Sequence, residues 1–132
     1  MGLEQVNIVD LERALTAFFA EWLDMTVDAE IFRGQLPHGV ESGVAVRVDG
    51  VEPTADYEEP DLVVQVLGKF DDRDAALDLL ARLSRLAPLY GVEVGAFRLA
   101  YLLVSGSGAP YTAADGGGIR HFTSVNFRCA LQ

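Results

Sequence analysis

The sequence is short of several residue types, and each shortage closes off a class of protein. A single cysteine, Cys129, stands among 132 residues. No disulfide can therefore form within one chain, and a cysteine-based zinc site in one copy has no support. No stretch supplies the roughly 20 mostly apolar residues of a membrane-spanning helix. The longest uncharged run, Leu99 to Ala114, dissolves into Ser, Gly and Pro. The opening MGLEQVNIVD has no basic region ahead of an apolar one, so it does not read as a secretory signal. Val6 stands where a myristoylation signal wants Ser or Thr. Positive charge is scarce as well. Ten basic residues, of which only Lys69 is a lysine, face 20 acidic ones for a net charge of −10. Such a chain has no general attraction for phosphate, which argues against a nucleic-acid grip.

What the sequence does have is apolar bulk. Half of its residues are hydrophobic and the mean hydropathy is +0.21. That excludes a disordered chain, and the length fits a single domain spanning 1–132. So much apolar material beside a twofold acid excess suggests a subunit whose partners cover part of its surface. The charge is also unevenly placed. Residues 1–96 carry 19 acids against 7 bases, whereas 97–132 carry Asp115 against Arg98, Arg120 and Arg128. Segments of opposite sign suit head-to-tail packing between copies.

Hydrophobic periodicity gives the elements. Ile8, Leu11, Leu15, Phe18 and Trp22 recur at helical spacing, with Asn7 and Asp10 placed to cap the start, and predict a helix over 7–24. A short strand over 30–33 follows. After a Pro-containing loop comes an alternating strand around Val44, Val46 and Val48. Residues 61–69, DLVVQVLGK, are apolar on both faces and predict a central strand. Asp71 is placed to cap a second helix, whose buried face is Ala76, Leu79, Leu80, Leu83, Leu86 and Ala87, with Pro88 and Gly91 as stops. Two last strands are expected at 96–104 and 121–131, joined by a flexible loop over 105–120. The expected fold is α+β: a two-layer sandwich of a mostly antiparallel five-stranded sheet with two helices on one face. Both faces of the last two strands look apolar: Phe97, Leu99, Tyr101 and Leu103 oppose Ala100, Leu102 and Val104, and Val125, Phe127, Cys129 and Leu131 oppose Phe122 and Ala130, so the helix-free face calls for a partner.

The sequence offers little chemistry. His38 and His121 have no acid or cysteine at ligand spacing. His121 and Cys129 share a strand face but lie eight residues, about 27 Å, apart. Ser105 and Ser107 lack the strand–turn–helix context of a nucleophile elbow. Asp71, Asp72 and Asp74 open a helix, where capping explains them. Asp115-Gly-Gly-Gly118 precedes a strand and lacks the GK[ST] of a phosphate loop. No catalytic residue, cofactor or metal is therefore assigned.

Two stretches point to interaction instead. The acidic loop holding Asp56, Glu58, Glu59 and Asp61 suits a channel lining or a basic neighbour. The segment 105–120, with Tyr111 and Asp115 and bounded by Arg98 and Arg120, suits an arm that docks on a partner, and Arg128 follows it in the last strand.

Nearly end to end, the chain resembles the small tail-terminator, tail-completion and minor capsid proteins of long-tailed bacteriophages and prophages. The resemblance is carried by NIVDLERALTAFFAEWL, by EIFRGQLPHGVESGVAVRV, by YEEPDLVVQVLGKFDDRDAALDLLARLSRL and by the terminal strand SVNFRCALQ. It implies a non-enzymatic structural protein of the virion, made in the host cytoplasm. Its copies would form a ring, usually a hexamer, that caps the tail tube and joins the head connector or completion protein. DNA would pass through without sequence-specific binding, and no membrane is involved. Two other readings stay open on the residues alone: a small-molecule-binding or enzymatic α+β domain, and a dimeric adaptor using an edge strand.

Overall fold

A computed structural model describes residues 7–52 and 61–132. The elements run α1 (Ile8–Leu23), β1 (Ile31–Arg33), β2 (Gly43–Glu52), β3 (Asp61–Phe70), α2 (Arg73–Leu86), β4 (Leu89–Val94), β5 (Phe97–Ser107), β6 (Tyr111–Asp115) and β7 (Gly118–Leu131). The protein is α+β with two helices, but its sheet has seven strands where five were expected. The order is β1-β2-β3-β7-β5-β4, and β6 also pairs with β7. Only β1 and β2 run parallel; every other pair is antiparallel.

Both helices start where a polar side chain caps a free backbone N–H. Asn7 Oδ1 accepts from the Asp10 N–H at 3.2 Å. In α2 the cap is Asp72, which accepts from the Ala75 N–H at 2.7 Å, and not Asp71 as the spacing had suggested. Each helix lays an apolar stripe on the same core. In α1 the stripe is Leu11, Leu15, Phe19 and Leu23, whereas Ile8 and Trp22 are 36% and 43% exposed. The aromatic end of this helix offers two overlapping stripes. The sheet selects the one that brings Phe19 against Phe127, ring centres 5.3 Å apart. In α2, Ala76, Leu79, Leu83 and Leu86 are buried and Leu80 only half so. Opposite them lie Val44 and Val46 of β2, Leu62, Val64 and Val66 of β3, Leu99 and Leu102 of β5, and Val125, Phe127 and Cys129 of β7. The approach is closest at Gly68, where an added Cβ would come within 2.4 Å of Leu79 Cδ2 and 2.6 Å of Phe70 Cε2.

The helix-free face corrects the sequence expectation in two ways. A register irregularity between Leu99 and Tyr101 sends Leu99 and Leu102 into the core and Tyr101 to the other side, so Leu99 and Tyr101 do not share a face. That face is also mixed, not uniformly apolar. Val63, Leu67, Phe122 and Ala130 alternate there with Gln65, Lys69, Ser124, Asn126 and Arg128, most of them half-buried.

The larger correction concerns 105–120, which is not a flexible loop. β5 pairs with Val125–Leu131 and β6 with Gly118–Phe122, so the two strands lie in series along one edge of β7, interrupted only at 108–110. Together they make one long hairpin. Gly116 and Gly117, both at positive φ (60° and 90°), form its two-residue turn between Asp115 and Gly118, the geometry a type I′ turn demands.

Candidate functional site

The nine residues singled out from the sequence do not form one surface. Asp56, Glu58 and Glu59 lie outside the described residues. The other six fall into three places, and five of them are engaged in ion pairs within the chain.

The first place is where β3 begins, against β5 and β7. Asp61 is almost fully buried, accepts a short hydrogen bond from the Tyr101 hydroxyl and has Arg128 Nε at 3.0 Å. The Asp61 carboxylate and burial push the Tyr101 hydroxyl up to about 12. Cys129 lies beside them with its thiol pushed up to about 12, first by burial and then by Asp61. A thiol so held is a core residue and not a nucleophile.

The second place is the hairpin tip. Lys69 Nζ lies 2.6 Å from Asp115 Oδ2, and this lysine holds the Asp115 carboxyl below its ordinary range. Arg120 Nε is 3.5 Å from Asp71 Oδ1, and its Nη2 is 4.0 Å from Glu41 Oε1. Tyr111 stacks on Phe122 with ring centres 5.5 Å apart and stays 55% exposed. Between this tip and the segment 36–41 is a cleft of about 440 Å³, into which Lys69, Asp115, Arg120, His38 and Glu41 face. Its cations and anions are matched in pairs, so it presents no net charge of either sign for a ligand to answer.

The third place is the β4–β5 ribbon. There Arg98 donates through Nε to Gln132 Oε1 at 3.0 Å and meets Glu93 Oε1 at 3.5 Å. The arginines of the last 36 residues thus answer acids of the same chain, and are not left over to steer a neighbour.

Among the described residues no three His, Cys, Asp or Glu side chains gather as metal ligands, and no helix is long and apolar enough to cross a membrane. The sequence did not single out Lys69 or Tyr101. The only lysine of the chain, placed in an otherwise apolar strand, was the available signal for the first; the second is positioned by a bulge that no pattern announces.

What remains open is backbone. β4 pairs with β5 only as far as Leu102, so beyond it no described strand takes the outer edge of β5 or that of β6. This edge lies within the uncharged run Leu99–Ala114, with Val104 and Tyr111 exposed along it. Natural sheets guard such edges with charge, proline or bulges. Here the guards are Pro110 and the irregularity between Val104 and Gly106.

Compared with known proteins, the chain matches no family model and no curated protein sequence.

Proposed function

We propose that this chain is a non-enzymatic structural protein of a long-tailed phage or prophage. It is a tail-terminator or head–tail joining subunit whose copies close into a ring, six in the assembled particle, on the end of the tail tube. The observation that carries this is the uncharged open edge of β5 and β6, borne on a long hairpin. An edge strand accepts another chain through backbone hydrogen bonds, and a contact between two different patches of identical subunits closes into a ring when the rotation allows. In this reading the two helices form one layer of a sandwich and the sheet the other, leaving the helix-free face for neighbours.

The acidic surface fits the same role. Asp71, Asp72, Asp74 and Asp78 lie along the start of α2, and Glu21 and Asp24 at the end of α1. These acids outnumber Arg73, Arg82 and Arg85 of α2, so a wall of this kind gives passing DNA little net attraction. The tail-tube protein and the head connector or completion protein are the partners of such a ring, and the virion neck is its place.

Deleting the gene from the phage or prophage genome that carries it is expected to leave filled heads and unjoined tails of uncontrolled length under the electron microscope. Normal virions from the deletion would overturn the assignment. Within it, removal of 106–118 is expected to abolish ring assembly, and rings formed without that segment would end the role of the edge.

A further inference from the structure

We propose that a notch between α1 and β4 is a docking site for an arginine side chain of a basic partner protein. The notch has a volume of about 430 Å³ and is lined by Phe18, Glu21, Trp22 and Glu93. Phe18, Glu21 and Trp22 stand at i, i+3 and i+4 of α1 and therefore share one helix face. Glu93 comes from β4.

Its aromatic floor is held in place before any partner arrives. The indole N–H of Trp22 donates to the Arg82 carbonyl oxygen at 3.1 Å, pinning the ring across to α2 while leaving it 43% exposed. Phe18 is fixed edge-on against Phe19, ring centres 5.6 Å apart at 81°. The indole is held with part of its ring facing water. Its π face attracts a cation.

The walls select the same charge. Both polar lining groups are carboxylates, and no basic side chain lines the notch. Arg98 bonds through Nε to Gln132 and reaches Glu93 only at 3.5 Å, while the Glu93 side chain is 77% exposed and open to a second donor. An aromatic floor with two carboxylates suits a guanidinium better than an ammonium. The planar group stacks on the ring and presents a fork of N–H donors to the acids at its edge. The strongly acidic chain draws a basic partner protein to this notch, whereas copies of the chain would meet through the open edge of β5 and β6. Asp24 ends α1 two residues after Trp22, and Asp28 and Glu30 follow in the chain, so acid continues past the notch residues. This inference does not depend on the phage assignment.

Trp22 is the only tryptophan of the chain, so its fluorescence reports on the notch alone. Titration of the full chain with N-acetyl-arginine amide is expected to change that emission saturably in the millimolar range. N-acetyl-citrulline amide, the neutral isostere, should give no saturable change. N-acetyl-lysine amide should bind several-fold more weakly. Glu21→Gln with Glu93→Gln, both at exposed positions and checked for an unchanged circular dichroism spectrum, should weaken the arginine probe at least tenfold. Should that double variant misfold, the wild-type titration in 0.5 M salt serves instead and should weaken several-fold. No saturable change with the arginine probe, equal binding of the citrulline or lysine probe, or retained affinity in the double variant would each overturn the proposal.

Discussion

Lys69 Nζ lies 2.6 Å from Asp115 Oδ2, tying the end of β3 to the hairpin tip 46 positions further along the chain. The lysine is nearly buried, and the aspartate sits where the strand turns back at Gly116. The pair restrains the one part of the hairpin that extends past the last β3–β7 partners, Phe70 and His121. Lys69→Met or Asp115→Asn is expected to speed amide hydrogen exchange over 113–120 several-fold while leaving Val64 and Phe127 protected. The lysine lowers the folded-state pKa of Asp115, so its contribution is complete above the ordinary value of 3.8 and fades as pH falls through the lowered one. Exchange at the tip, corrected for intrinsic chemistry, should rise in that acidic window in the wild type and not in Asp115→Asn.

Among the described residues Asp61 is the one buried acid. Asp61→Ala takes away the acceptor of the Tyr101 hydroxyl and the carboxylate facing Arg128. A broken buried pair of this kind costs about 3 kcal/mol, and Tyr101→Phe should cost about 1.5 kcal/mol. Urea unfolding midpoints give both values.

At high pH the same cluster supplies a second readout. Tyr101 ionises at about 12 when folded against 10.0 ordinarily, so the stabilisation held by its neutral form is complete below pH 10 and lost between pH 10 and 12. Tyr101→Phe should make that part of the stability curve shallower, the remaining slope coming from Cys129.

Cys129 should be silent to thiol reagents. With its thiol buried and pushed up to about 12, the folded chain is expected to consume no aromatic disulfide reagent at pH 8, and one equivalent after denaturation. Reaction in the folded state at the rate of a free thiol would contradict the packing of β7 against the helices.

Gly68 sets the spacing between β3 and α2. Gly68→Ala places a methyl against Leu79 and Phe70, whose side-chain ends must shift, and is expected to cost about 1 kcal/mol; Gly68→Val should approach 3 kcal/mol. Thermal unfolding of the two variants tests the order.

The parts of the fold that the sequence disclosed were those with an unbroken period. β3 alternates Leu62, Val64 and Val66 into the core without a slip and was readable as a central strand, which it is. α1 was readable to within a residue at either end. Its buried face was not, because Phe18, Phe19, Trp22 and Leu23 satisfy helical spacing on two stripes and only contact with Phe127 decides between them. β4 was hidden by Pro88 and Gly91, which stop a helix yet are tolerated at the start and in the body of an edge strand. β6 was hidden by its neighbours Gly108, Ala109 and Pro110, and its pairing with β7 is a tertiary fact that no local pattern carries. The candidate residues suffered in the same way. Composition marked the arginines of the last segment as a surplus, and only the tertiary fold put each opposite an acid of the same chain.

β7 pairs with β3, β5 and β6, yet it follows all three in the chain. Without residues 118–131, β3 would have only β2 as a strand partner and β5 only β4. The turn at Gly116 and Gly117 brings β7 back along β6 and β5, and its other edge takes β3. The sheet is two incomplete halves, β1–β3 and β4–β5, joined through one strand that comes last in the chain.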